Sequence, residues 1–207
     1  MIDTAEIVRF IEARAGGLDR LVVAIAGPPA SGKSTLAATL AGAWPDGQAI
    51  VVPMDGFHFD DIILRQLGLS HRKGAPETFD FAGFEVLVKR IRSGEKDIAI
   101  PVFDRSIEIA RAGAAIIGGE ARIVLLEGNY LLLDEDPWSR LRTQFDLSLF
   151  IAAPRTVLER RLVQRWQEHG REPVAARKWI ETNDMPNIDR VLSRVLPADL
   201  TLDTDAG

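Results

Sequence analysis

Residues 27–34 read Gly27-Pro28-Pro29-Ala30-Ser31-Gly32-Lys33-Ser34, with Thr35 next. They match the phosphate-binding pattern G-x-x-x-x-G-K-[ST] without a mismatch. Each fixed position has a physical reason. Gly27 and Gly32 let the loop turn so that successive backbone N–H groups face an anion. A helix beginning near Lys33 adds the positive end of its dipole. The Lys33 ammonium reaches terminal phosphates, and the Ser34 hydroxyl suits a Mg²⁺ ion. The flanks fit the motif: the apolar run Leu21–Ala26 reads as a strand buried on both faces, and Leu36-Ala37-Ala38-Thr39-Leu40 as the first turns of a helix.

Outward from this centre, strands and helices alternate. Thr4–Ala15 has helical spacing and ends at Gly16-Gly17. Short apolar runs at Gln48–Pro53, Asp97–Phe103, Ile123–Glu127, Leu147–Ala152 and Leu200–Asp203 read as strands. Phe81–Ile91, Thr156–His169 and Val174–Thr182 read as helices, and 59–80 as one short helix in a long loop. This alternation implies an α/β chain with a parallel β-sheet and helices on both faces. One domain is expected over 1–207, with 154–185 as a small helical lid.

Composition narrows the function. The 207 residues are 46% hydrophobic and 27% charged, with net charge −5 and no cysteine. An acidic chain is not expected to bind nucleic acid generally. Cysteine disulfides, thiolate metal sites and cysteine nucleophiles are excluded. The N-terminus lacks the basic and apolar regions of a secretory signal, and no apolar run is long enough to span a bilayer. A cytoplasmic protein without a membrane partner is expected.

A P-loop alone does not fix the class. The guanine-reading Asn-Lys-x-Asp is absent, and Asp80-Phe81-Ala82-Gly83 matches D-x-x-G only as a short, common pattern. Asp55, in Met54-Asp55-Gly56-Phe57-His58 at a strand end, is a candidate base for an attacking hydroxyl; it also reads as a turn-forming Asp before Gly. Arg155, Arg160, Arg161, Arg165, Arg171, Arg177 and Lys178 crowd one charged region, and Arg161 and Arg165 share a helix face.

Gly27–Ser34, Met54–His58, Arg72-Lys73-Gly74-Ala75-Pro76-Glu77-Thr78-Phe79-Asp80, Pro101-Val102-Phe103-Asp104 and Leu126-Glu127-Gly128 occur in that order. Together they resemble the uridine kinase, phosphoribulokinase and bacterial pantothenate kinase family, over about residues 20–205. Within it, the chain is most similar to a short bacterial subgroup provisionally described as fructose transport system kinases. The resemblance implies a P-loop NTPase fold, ATP and Mg²⁺, and transfer of a phosphoryl group to a small-molecule hydroxyl acceptor. A sugar is expected first, then a nucleoside or pantothenate. It implies Asp55 as catalytic base, Glu127 with Ser34 on Mg²⁺, and Lys33, Arg161 and Arg165 steadying the phosphoryl charge. Expected acceptor contacts are His58, Arg72, Lys73, Asp80, Arg105, Asn129 and Tyr130, while Asn183, Pro186 and Asn187 are expected near the adenine. Phe103 and Arg105-Ser106 depart from the uridine kinase pattern at the acceptor. A homodimer, a non-catalytic ATP-binding regulator of a transport system and a nucleotide hydrolase remain open.

Overall fold

The computed structural model describes residues 3–204. Five parallel strands form the main sheet: β1 (Leu21–Ala26), β2 (Ala49–Pro53), β5 (Ile123–Gly128), β6 (Leu147–Ala152) and β7 (Leu200–Asp203), in the order β2-β5-β1-β6-β7. The fold is an α/β P-loop fold. Every residue of β1 and β5 is buried, as the apolar runs Leu21–Ala26 and Ile123–Leu126 predict for central strands, and the burial extends to the charged Glu127.

Because side chains alternate across a strand, the two faces of β1 feed two cores. Leu21, Val23 and Ile25 pack with Ile7 and Ile11 of α1 (Thr4–Ala15) and Leu36, Ala37 and Leu40 of α2 (Lys33–Ala41). Val22, Ala24 and Ala26 face Phe84, Leu87, Val88 and Ile91 of α4 (Phe81–Arg92), with Trp138 and Tyr130. Each large side chain so buried contributes roughly 1.5–3 kcal/mol before entropy is counted. The short α3 (Asp61–Gln66) stands in the 59–80 loop, as expected.

Three segments depart from the sequence reading. β3 (Ile98–Asp104) does not join the parallel sheet; it pairs antiparallel with β4 (Ile109–Ile117) as a separate hairpin. β4 had no readable signal, because it is rich in Ala and Gly and exposed along most of its length, so no alternation marks it. Beyond α5 (Arg155–Glu168) and α6 (Pro173–Trp179), a π-helical turn at Ile180–Asp184 runs into an unforeseen α7 (Met185–Ser193). Pro186 there resembles a break but sits in the first turn, where proline is tolerated. Ala153, Leu158, Leu162, Ile180, Met185 and Ile188 form a third small core, on which Ala30 of the P-loop rests.

Close backbone approach fixes two glycines beside the site. A Cβ on Gly128 would collide with the Met54 side chain, and one on Gly56 with the Pro101 carbonyl of β3. Gly56→Ala should therefore lower stability by about 1–3 kcal/mol, seen as a reduced urea midpoint with unchanged slope; a wild-type midpoint would show that the hairpin does not press on this turn.

Candidate active site

The P-loop leaves β1 at Ala26 and enters α2 at Lys33. Gly27 has no room for a side chain: a Cβ would lie 2.6 Å from the Ile151 carbonyl oxygen and 2.9 Å from Ser31 Oγ. Ala30 and Gly32 adopt left-handed φ values of 63° and 99°, and such strain in a non-glycine residue is typical of functional loops. Carboxylates cap α1, α3, α4 and α6 through Asp3, Asp60, Asp80 and Glu172, whereas Gly32 gives α2 no side-chain cap, as Pro154 and Asp184 give none to α5 and α7. The first-turn amides of α2 thus keep their capacity for an anion.

The loop's carbonyls have partners of their own. The buried Lys33 Nζ donates to Pro28 O at 2.9 Å. Arg161 donates to Ala30 O and Ser31 O, each at 3.3 Å. Beside the loop lies a cavity of about 420 Å³ whose lining includes Thr35, Leu36, Thr39, Ile151, Arg161 and Thr204.

Strand register brings the acidic residues to the same end of the sheet. Glu127 stands opposite Ile25 of β1 and Pro53 of β2, two residues before Gly27 and Asp55 respectively. Burial raises the Glu127 pKa; Lys33 and the nearby Ser34 hydroxyl offset part of the rise, and Asp55 adds to it. Burial lowers the Lys33 pKa, and Glu127 and Asp55 oppose that. A buried carboxylate beside a serine hydroxyl is a donor pair suited to Mg²⁺, which takes its remaining ligands from phosphates and waters. Asp55 lies in a one-turn 3₁₀ helix, Met54–Phe57, and accepts a bond from Arg105 at 2.5 Å.

Arg161 and Arg165 share a face but differ in surroundings. Arg161 is spent on the P-loop carbonyls. Arg165 makes no ion pair among the described residues; burial lowers its pKa, nearby Arg105 adds to this, and Asp55, Asp184 and Glu108 oppose it. Trp166 donates to Asp184 at 2.7 Å, and Arg171 stacks between Trp166 and Trp179. The sequence reading missed this group, although two tryptophans among arginines were visible.

The Arg72–Asp80 stretch proves to be a clasp. Arg72 donates to Asn187 at 3.0 Å and Asn183 at 3.4 Å, and Asn183 donates to the Lys73 carbonyl at 2.8 Å. These two asparagines therefore hold the loop to the π turn and α7, and they do not line the cavity by the P-loop. Glu77 accepts from Arg190 at 2.8 Å. Asp80 caps α4 through Gly83 N–H, and the wholly buried Tyr130 donates to Gly74 O. Asp80 and Tyr130, expected at the acceptor, are thus occupied in holding the fold. Lys73 pairs with Asp61 at 2.8 Å, and Asn129 is half-buried in the turn after β5.

His58 stacks on Phe79 with centroids 3.9 Å apart and packs near Phe103 at 5.2 Å, while its Nδ1 is buried without a partner. Burial lowers its pKa from 6.5 to about 4, with Lys73 and Arg105 adding to the effect and Asp55 opposing it. The unfolded chain therefore binds a proton between about pH 6.5 and 4 that the folded chain refuses, so His58 makes stability fall on acidification across that window. Asp184, its pKa raised by burial to about 6, acts in the opposite sense. His58→Phe isolates the first contribution: wild type should lose about 2–3 kcal/mol more than the variant between pH 7 and 4, measured by urea unfolding. Parallel pH profiles would refute it.

The sequence matches the Phosphoribulokinase / Uridine kinase family over residues 22–203. It is 37% identical to the uncharacterized protein YggC of Escherichia coli, over 89% of this chain and 78% of that protein. It is 32% identical to a Schizosaccharomyces pombe protein provisionally named uridine kinase C227.14, over 88% and 83%. A crystal structure from Silicibacter sp. TM1040, provisionally described as a fructose transport system kinase, superposes with a TM-score of 0.91 at 42% identity, covering 98% of this chain and all of that one. With the uncapped P-loop helix and the strand-end carboxylates in place, the chain belongs to the Phosphoribulokinase / Uridine kinase family of P-loop kinases.

Proposed function

We propose that the protein transfers the γ-phosphoryl group of ATP to a hydroxyl of a small molecule, with a fructose-like sugar as the first candidate acceptor and a nucleoside or pantothenate as alternatives. The observation that carries this reading is the convergence of Glu127 and Asp55, at the C-terminal ends of the adjacent parallel strands β5 and β2, with Lys33, which opens α2 and feels the charge of both. The sugar preference draws on the description of the Silicibacter relative.

In this reading the backbone amides of Ala30–Thr35 cradle the phosphates, Pro28 and Pro29 having no N–H to offer. Lys33 leaves the Pro28 carbonyl for the transferred group, gaining a stronger, charge-assisted partner. Ser34 and Glu127 would hold Mg²⁺, which neutralises phosphate charge when bound. The nucleoside end of ATP fits the cavity along Thr35, Thr39, Ile151 and Thr204. Arg161 fixes the loop from behind, and Arg165, which makes no ion pair among the described residues and lies near Asp55 and Arg105, is a lid arginine free to meet charge on the phosphoryl group. Residues 154–185 act as the lid that excludes water.

Asp55 takes the proton of the acceptor hydroxyl as the bond from that oxygen to phosphorus forms and the bond to ADP breaks. Asp55→Asn should keep ATP affinity within about threefold and reduce acceptor-dependent ADP release by about 10²–10⁴-fold. Lys33→Ala should lose both binding and turnover. Calorimetric ATP titration and a coupled ADP assay separate the two; Asp55→Asn at wild-type rate would remove the base assignment.

A further inference from the structure

Arg165 feels the charge of three carboxylates, Asp55, Asp184 and Glu108, yet makes no ion pair among the described residues. Each of the three has another partner. Arg105 holds Asp55 at 2.5 Å, and Lys73 lies 3.7 Å from Glu108. Asp184 differs, because its partner is neutral: the Trp166 indole donates to Oδ2 at 2.7 Å. Trp166 directly follows Arg165 on α5, and the Arg165 guanidinium lies 5.9 Å from its ring.

The Asp184 carboxylate is fixed in this place. It stands in the π turn between Asn183, which is tied to the Lys73 carbonyl at 2.8 Å, and Met185, which is buried in the third core. It does not cap α7. Burial raises its pKa to about 6, so it is ionised at neutral pH and calls for a donor. The charged groups that face it are Arg165 of α5 and Arg171 of the turn that follows, with the Trp179 indole also near. Arg171 is held between the rings of Trp166 and Trp179, at 4.4 and 4.8 Å. Without the indole N–H, the half-buried carboxylate would be left short of a donor, and a guanidinium is the partner that satisfies it best. Arg165 is the unpaired one beside it. Once engaged by a carboxylate, Arg165 is lost to a phosphoryl group.

We propose that Trp166 is a positioning residue: its indole N–H occupies the Asp184 carboxylate and thereby keeps Arg165 unpaired and available to the phosphoryl group. The inference rests on the kinase reading above and deepens it, since Trp166 acts through Arg165 and touches no substrate. A neutral donor suits the task, because it satisfies the carboxylate without adding a second cation next to Arg165.

The test titrates the full chain calorimetrically with ADP and Mg²⁺, alone and with tetrafluoroaluminate, an anion that stands in for the phosphoryl group in transfer. Fructose, uridine or pantothenate is present in each titration. Wild type should bind ADP more tightly with the fluoroaluminate. Trp166→Phe keeps a ring for Arg171 and removes the N–H donor. It should leave affinity for ADP alone within about threefold and weaken the fluoroaluminate complex by about 10–100-fold. Adding Asp184→Asn should restore most of that loss, because an amide does not hold a guanidinium as an anion does; a packing defect would not be repaired in this way. In an Arg165→Met background, Trp166→Phe should have no further effect on the complex. The crystal structure of Trp166→Phe should show Arg165 paired with Asp184.

A fluoroaluminate complex of wild-type strength in Trp166→Phe would overturn the proposal. So would an equal weakening of ADP alone, no recovery on adding Asp184→Asn, or an unpaired Arg165 in the structure of the variant, each of which leaves Trp166 as a packing residue. ADP binding that tetrafluoroaluminate does not tighten in wild type would remove the role of Arg165 and this proposal with it. Failure of wild type to bind ADP at all would sink the kinase reading itself.

Discussion

The P-loop must offer backbone amides to an anion while finding other partners for its carbonyls, and much of this structure answers that demand. Lys33 takes the Pro28 carbonyl, and Arg161 takes those of Ala30 and Ser31. Gly27 lets the loop lie against the Ile151 carbonyl of β6. An unmet backbone group in a buried loop costs on the order of 1–3 kcal/mol, so these contacts decide whether the loop keeps its shape without a ligand. They also tie it to the helical region: Arg161 comes from α5, and Ala30 rests on the core shared by α5, the π turn and α7.

Burial then sets the electrostatics. Glu127 and Lys33 are both withdrawn from water, and each is pushed toward its neutral form by desolvation and back toward its charged form by the other. Such a pair stores little stability. It does keep two opposite charges ready for a phosphate and its cation, in surroundings where fixed charges act strongly.

The acceptor side is built differently. The 72–80 clasp fixes a loop rich in polar residues by bonding them to α7, the π turn and Tyr130, and this orders the floor on which His58 and Phe103 stack. Few side chains there remain free. Arg105 and Lys73 reach the same aromatic ring from different elements, and Arg105 closes over Asp55.

How much was legible in advance follows from how local each signal is. The P-loop, the buried strands β1 and β5 and the helices with apolar stripes were readable, because glycine geometry and side-chain period act over a few residues. Glu127 and Asp55 could be named from motif order; that they sit level with one another needed the parallel register of β2, β5 and β1. The hairpin strand β4 and helix α7 escaped, one for lack of alternation and the other behind Pro186. A polar side chain looks alike in sequence whether it meets a ligand or the chain itself, so the bonds of Tyr130, Asp80, Asn183 and Asn187 to other parts of the chain were not legible. The sequence determined an anion-binding loop on an α/β sheet with carboxylates at strand ends. Only the tertiary structure decided which polar groups are spent on the fold and which, like Arg165, make no ion pair among the described residues, because hydrogen-bond partners distant in the chain are chosen by packing.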